Sequence, residues 1–590
     1  MNFLKNLDFK QVALWSTLAI LGLLLVIQWT EDFKESSEMA DHSIEANYPG
    51  FSSLPEPIKS PSMMEPSRVV SDFPSAPMME KNSNHNSAQD SDLPQVIRTV
   101  EMPLFEDSMK SKADYNFIRV RTDVVDVVIN PIGGDIERID LLKYPNAKET
   151  PDIPFTLLEN SNGRLYIAQS GLVGPSGPDA SRDGRPHYVA DSNQYFMADG
   201  DEQIEVSLRV SIDGVDYEKR FVFKRDSYLI DVEHVIHNRS DETWTGNLFA
   251  QIKRDNSEGP GAAGMGMQPF LGAAYWTEEK PYNKVDIDDF EEDSVKQKTK
   301  GGWLALVQHY FVGAWIPAPG QDYLYETRVS GGKNIISLTA GSTVVAPLES
   351  TTIKSQFYAG PKILEVLEKI SPDLDLTIDF GWLWFIAKSL FWCLDFIHDY
   401  VQNWGWSIIL LTCAIKLALF PLSAKSYTSM ANMRRIQPEM TRLKDLYGDD
   451  RQKMSQEVMQ LYRKEKVNPL GGCLPILVQM PIFISLYWAL MESVELRQAE
   501  FMFWIVDLSQ MDPYFILPII MGASMIVQQR LNPAPADPMQ AKVMQMMPIM
   551  FTFFFLFFPS GLVLYWVVNN LLSIVQQTVI TKRIEAQAAA

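Results

Sequence analysis

Apolar and polar positions divide this chain into stretches of different period. A run from Val12 to Trp29 is apolar almost throughout, long enough to cross a hydrocarbon core of about 30 Å. Residues 30–110 show no sustained period and are rich in Ser, Pro, Asn, Met and acids, a composition that buries too little apolar surface to offset ordering entropy. A flexible tether is expected there. From about 115 to 358 the pattern alternates, as in Val124-Val-Asp-Val-Val-Ile129, Ile204-Glu-Val-Ser-Leu-Arg-Val210 and Leu229-Ile-Asp-Val-Glu-His-Val-Ile236. Period two places one side of each strand in a core, and Gly, Asn, Asp and Pro clusters punctuate the strands, so an all-β sandwich is predicted.

Beyond residue 360 the period becomes helical. Ile363, Leu364, Val366, Leu367 and Ile370 fall on one helical face, and Pro372 ends the pattern. Trp382, Trp384, Trp392, Trp404 and Trp406 follow. Indoles concentrate where lipid meets water, so residues 361–402 are expected to be an interfacial amphipathic helix and its lead-in. Apolar spans come next at about 403–422, 470–490 and 513–529. The stretch from Pro548 to Ile580 would be about 50 Å long as one helix, too long for one crossing. Pro559-Ser560-Gly561 divides it into spans at about 542–558 and 562–581. With the N-terminal run this predicts six transmembrane helices. The polar stretch 424–467 reads as a helical hairpin, broken at Gly448-Asp449-Asp450, with Pro438 kinking or weakening its first helix.

Charge supports one topology. The net charge is −21, and the whole deficit falls between residues 29 and 380, which argues against nucleic-acid binding. Lys5 and Lys10 favour a cytoplasmic N-terminus. Residues 423–468 carry ten basic against six acidic side chains, residues 491–512 one against five, and Lys582 and Arg583 follow the last span. With six spans, both basic segments are cytoplasmic and the acidic one is outside. The three cysteines, Cys393, Cys413 and Cys473, lie in or beside apolar segments and read as small buried hydrophobes.

Lys416 stands out. It falls inside the 403–422 span, where a charge costs roughly 2.5–3.5 kcal/mol on insertion scales. No acidic residue lies at depth in the other spans, so the ammonium needs a wet cavity. Thr412 shares its helical face. Gln479 and Ser485 lie in the 470–490 span, and Asn569, Asn570, Ser573, Gln576 and Gln577 mark the last one. These groups predict a polar cavity between helices, although ordinary interhelical hydrogen bonds account for such residues equally well. Met480-Pro481 and Phe551–Phe558 offer bulky apolar surface for lipid or for a sliding helix. No phosphate-binding loop, zinc spacing or catalytic triad is readable, the acidic run 286–293 reads as a solvated loop, and Gly259–Gly266 reads as a loop. No metal, cofactor or catalytic residue is expected. A secondary transporter using Lys416 as a counter-ion and a membrane-anchored exterior sugar-binding protein are the rival readings.

Several segments together resemble the YidC insertase family: Gly405-Trp-Ser-Ile-Ile, Phe420-Pro-Leu-Ser, Tyr427-Thr-Ser-Met-Ala, Glu465-Lys-Val-Asn-Pro-Leu-Gly-Gly-Cys473, Gln479-Met-Pro481, Ser493-Val-Glu-Leu-Arg-Gln498 and Phe558-Pro-Ser-Gly-Leu-Val-Leu-Tyr565. The exterior part resembles the Gram-negative form at Gly133-Gly-Asp-Ile-Glu137 and Lys300-Gly-Gly-Trp303. The resemblance implies a non-enzymatic insertase and chaperone of the bacterial inner membrane. It implies a helical membrane core, five of whose six spans form the insertase bundle, and a periplasmic β-supersandwich. A groove in that core would hold one basic residue, usually arginine, at the position of Lys416. Thr412, Gln479, Ser485 and Asn570 become its polar lining, and Met480, Pro481, Phe554, Tyr565 and Trp566 its client-contact positions. Nascent membrane proteins, membrane lipids, the Sec translocon, and the ribosome or targeting machinery at the cytoplasmic hairpin are the implied partners. The resulting division is a signal anchor (1–30), tether (31–112), β-supersandwich (113–360), interfacial segment (361–402), insertase core (403–582) with its hairpin (424–467), and a short tail (583–590).

Overall fold

The computed structural model describes residues 117–161, 163–257, 259, 269–447, 450–465, 474–532 and 538–589. The expected anchor (1–30), the tether (31–112), Cys473, and all but Gly259 of the Gly259–Gly266 loop lie outside the described residues.

Alternation becomes sheet where it was expected. Strands between Ile118 and Pro361 form, among the described residues, an 11-stranded and a 9-stranded sheet. Val215–Lys224 buries every second residue and pairs antiparallel with Leu229–Asn238, setting Phe221 opposite Val232. The two inner faces meet in one core. Phe155 of one sheet stacks on Phe311 of the other with ring centroids 4.3 Å apart. Trp315 Nε1 donates across the same gap to Gln251 O at 3.1 Å.

The core does not stop at the sandwich. It continues through Leu367 and Leu374 to Phe391, Ala489 and Val494. Helix α1 (Leu364–Ile370) therefore turns its apolar face onto the β domain, with Leu367 fully buried. A helix forms within 361–370 as the period predicts, and protein covers its apolar face: periodicity announces a buried face but not what buries it. The exposed apolar side belongs to α2 (Trp384–Val401), where Trp384, Phe385, Trp392, Phe396 and Tyr400 are open and Ala387, Phe391 and Leu394 are buried.

Helix α3 (Trp404–Ala418) ends four residues before the predicted limit of its span. Pro421 stands in the first turn of α4 (Phe420–Arg435), where its missing N–H is harmless, and the two helices meet at 67°. Lys416 thus sits in the last turn of α3 rather than mid-helix, beside carbonyls whose partial negative charge favours a cation. Near Pro438 the helix is interrupted at Ile436, which separates α4 from α5 (Gln437–Tyr447). Helix α6 (Arg451–Lys464) returns, and Ile436 and Met440 pack against Leu461 and Tyr462.

Four further helices follow among the described residues: α7 (Leu474–Glu492), α8 (Ile516–Leu531), α9 (Pro538–Phe555) and α10 (Ser560–Ala589). The chain turns between α9 and α10 at Leu556–Pro559, as the proline-serine-glycine signal predicts. By length and apolar content, one described helix, Ser560–Ile584, can cross a membrane alone; the bent α3–α4 pair passes only if counted as one span.

Candidate functional site

The junction of α3 and α4 opens on a cavity of about 280 Å³ bounded also by α7, α8, α9 and α10. Sequence puts polar side chains on its inner walls. On α10, Asn569, Asn570, Ser573 and Gln577 recur at three- and four-residue spacing and so share one side of the helix. Helix α7 contributes Gln479, Met480 and Phe483, and α4 contributes Ser423 and Tyr427. Phe551 of α9 and Trp566 of α10 close the apolar part.

Lys416 is buried and aimed into this space. Its Nζ donates to Ser573 Oγ at 2.8 Å, while Ser573 Oγ in turn donates to Asn569 O at 2.7 Å. No carboxylate of the described residues forms an ion pair with it. An ammonium carries three N–H donors, so among the described residues one is satisfied by protein and two are left for water or a visitor. Other polar atoms of the lining share that condition: Asn569 Oδ1, Gln577 Oε1 and Trp566 Nε1 are buried without a protein hydrogen-bond partner. Buried polar groups of native proteins are almost always satisfied, and the cavity far exceeds the roughly 10–15 Å³ that one water requires. The lining is therefore built to be wet.

Other side chains of the same lining tie the neighbouring helices together. Asn570 Nδ2 donates to Ser524 Oγ of α8 at 3.0 Å, and Gln577 Nε2 to Asn532 Oδ1 at 3.0 Å. Gln479 Nε2 donates to the hydroxyl of Tyr565, which is fully buried. Trp566 meets Phe483 edge to face at 4.5 Å.

The structure brings together Lys416, Gln479, Met480, Asn570 and Trp566 of the predicted residues. It does not bring Thr412 or Ser485 to the cavity. Thr412 donates to Ile408 O of its own helix at 2.6 Å, and Ser485 is fully buried inside the bundle. A hydroxyl on a helix has a backbone acceptor one turn back, so spacing alone does not aim it. Pro481 lies within α7 beside the cavity residues but outside the lining. Phe554 is half-exposed on the outer side of α9, packed on Phe558 at 4.6 Å. Ser423, Tyr427 and Gln528 line the cavity and were not anticipated. The available signal was each polar side chain near the end of an apolar or mixed helix.

A larger cleft, about 680 Å³, lies on the β domain between the 9-stranded sheet and the end of α1. Its carboxylates are matched: Asp231 pairs with Lys224 at 2.8 Å and Glu233 with Lys354 at 2.8 Å. Both carboxylates of this cleft are thus held by lysines.

Two family models match the chain: "60Kd inner membrane protein" over residues 396–587 and "YidC periplasmic domain" over residues 117–393. The chain is 50% identical over 585 residues to a protein of Pseudomonas fluorescens named membrane protein insertase YidC, covering 99% of both chains. It is also 50% identical over 584 residues to the Azotobacter vinelandii protein of the same name, covering 99% of this chain and 100% of that one. Among solved structures, that of an active YidC insertase with its first transmembrane domain resolved covers 79% of this chain and 92% of its own, at 19% identity and a TM-score of 0.35.

Proposed function

The chain belongs to the YidC family of membrane-protein insertases, and from that premise we propose that clients pass their polar segments through the wet cavity around Lys416. Membrane-protein insertion at the inner membrane, with a periplasmic β domain alongside, is the family's activity and is this chain's. The finer reading concerns how. One observation carries it: a buried ammonium with a single protein partner, in a cavity whose lining leaves further polar atoms unpartnered.

In this reading the protein makes and breaks no covalent bond. Lys416 attracts the acidic or polar flank of a client, and the unpartnered lining atoms replace part of that flank's water. The apolar segment meanwhile moves along the bulky surface around Met480 and Phe554 into lipid. Burial of that segment drives the process at about 25 cal/mol per Å², and membrane potential adds about 2.3 kcal/mol per charge per 100 mV. Lysine supplies the charge without arginine's planar fork, so charge rather than bidentate geometry is what the site requires.

The topology that suits this mechanism has six spans, the N-terminal run and α3, α7, α8, α9 and α10, with both termini cytoplasmic. The positive-inside distribution supports it. The α5–α6 hairpin then faces the cytoplasm, placed to receive clients from the ribosome or targeting machinery, and the lipid-facing side is free to meet the Sec translocon. Depletion of the endogenous insertase, followed by complementation, tests the proposal. Lys416→Arg restores client insertion, whereas Lys416→Ala and Lys416→Glu do not; full insertion by both of the latter removes Lys416 from the mechanism.

A further inference from the structure

The helix that carries Gln479, Met480 and Phe483 to the cavity ends in an unusual way. Its last residue is Glu492, a carboxylate at the end of a helix where partial negative charge already accumulates. Glu492 is also buried. Both features are unfavourable unless something compensates, and the compensation comes from outside the bundle. Lys362, at the end of the β domain and itself buried, donates to Glu492 Oε2 at 2.8 Å and to Thr377 O at 3.2 Å.

A second contact repeats the pattern. The last four carbonyls of a helix have no partner within it. One of them, Met491 O, lies 2.9 Å from His309 Nε2 of the β domain. A carbonyl only accepts, so Nε2 carries the hydrogen. Another, Ala489 O, accepts from the Ser493 hydroxyl. Around these polar contacts the apolar core runs unbroken from the sandwich to Ala489 and Val494. Just beyond, Arg497 Nη2 donates to Pro145 O at 2.8 Å and Asn146 O at 3.0 Å, in the tip of a long β-hairpin.

We propose that the β domain is the C-terminal cap of α7, and that Lys362, Glu492 and His309 are positioning residues that fix the angle at which α7 presents its cavity-lining face. The periplasmic domain then does more than sit beside the membrane core. It sets the outer end of the helix whose inner half clients touch. The role of that face rests on the groove reading above, but the cap itself does not.

The test uses the full-length protein in membranes. Amide exchange over residues 486–498 reads the cap, and cross-linking from a photoprobe at Met480 to a stalled client reads the presentation of the face. Lys362→Met strands a buried carboxylate, so exchange over 486–498 rises by about tenfold or more, and the cross-link yield per folded molecule falls with it. Lys362→Met combined with Glu492→Leu removes both charges and returns exchange and cross-linking toward the parent values. His309→Ala behaves like a milder Lys362→Met, and His309→Gln, which keeps an N–H donor, rescues it. Unchanged exchange in Lys362→Met and His309→Ala overturns the cap. Faster exchange with undiminished cross-linking overturns the positioning role. A silent Lys416→Ala beside a defective Lys362→Met leaves the cap standing and removes the groove reading instead.

Discussion

Two buried lysines, one in each half of the molecule, meet opposite fates. In the β domain Lys219 donates to Gly133 O at 3.0 Å, Gly134 O at 2.8 Å and Ser170 O at 2.9 Å. Beside it Arg185 bonds Asp179 at 2.7 Å and also pairs with Asp135. Every donor of the ammonium is taken. In the helical core Lys416 has one protein partner among the described residues, Ser573, and faces a cavity. Lys362, between the halves, has a carboxylate and a carbonyl. The comparison separates two uses of a costly charge. A saturated buried cation holds structure together, and an unsaturated one beside open space is available for chemistry with something that arrives.

The sharpest way to break the comparison is to remove each charge and ask what is lost. Lys219→Met leaves three carbonyls unsatisfied and the neighbouring carboxylates short of a cation, so the β domain should lose about 3–5 kcal/mol, read from thermal or denaturant unfolding of the full chain. Lys416→Met should change the stability of the helical core by less than about 1 kcal/mol, since the one charge-assisted hydrogen bond it gives up is offset by no longer burying a charge, yet client insertion should fail. Equal destabilisation by the two substitutions would dissolve the distinction. Ser573→Ala probes a smaller effect. It removes the one partner of Lys416 at about 0.5–1.5 kcal/mol, and insertion of acidic clients should persist, because the charge rather than its tether is what they meet.

The smallest effect concerns pH at the junction. Burial first, and then the Lys362 and Arg497 charges, hold His309 below its ordinary value, with Glu492 acting in the opposite sense. The unfolded or undocked ring titrates near its ordinary pKa of about 6.5 and therefore takes up a proton before the docked one does. Docking is then at full strength above about pH 6.5 and weakens as pH falls below it. Relative to the intrinsic exchange rate at each pH, protection over 486–498 should fall modestly between about pH 7.5 and 5.5, and His309→Gln should flatten that fall.

Much of this architecture was legible in the order of residues, and the reasons are local. Period two announced the sheets, Pro559-Ser560-Gly561 announced the turn before α10, and a lone lysine in an apolar helix announced the cavity. Proline chemistry at Pro438 announced the weak point at Ile436, whereas the break before Pro421, which shortened α3, was not anticipated. What stayed hidden required knowing which surfaces meet. The apolar face of 363–370 gave no hint that the β domain covers it. Lys362 and Glu492 are 130 positions apart, and neither residue looks unusual alone. Ser573 stood among several polar residues of the last span, and only packing shows that it is the one Lys416 reaches. Thr412 and Ser485 looked like lining by spacing, but a helix backbone or a packed neighbour satisfies or buries such small hydroxyl groups easily.

The most direct test of the central claim reverses a charge on both sides. Insertion of one client is measured with its translocated flank made acidic or basic, in cells dependent on the parent chain or on Lys416→Glu. The account predicts that the acidic flank inserts with the parent and stalls with Lys416→Glu, and that a basic flank recovers insertion by Lys416→Glu. Equal insertion of both flanks by both proteins would contradict it.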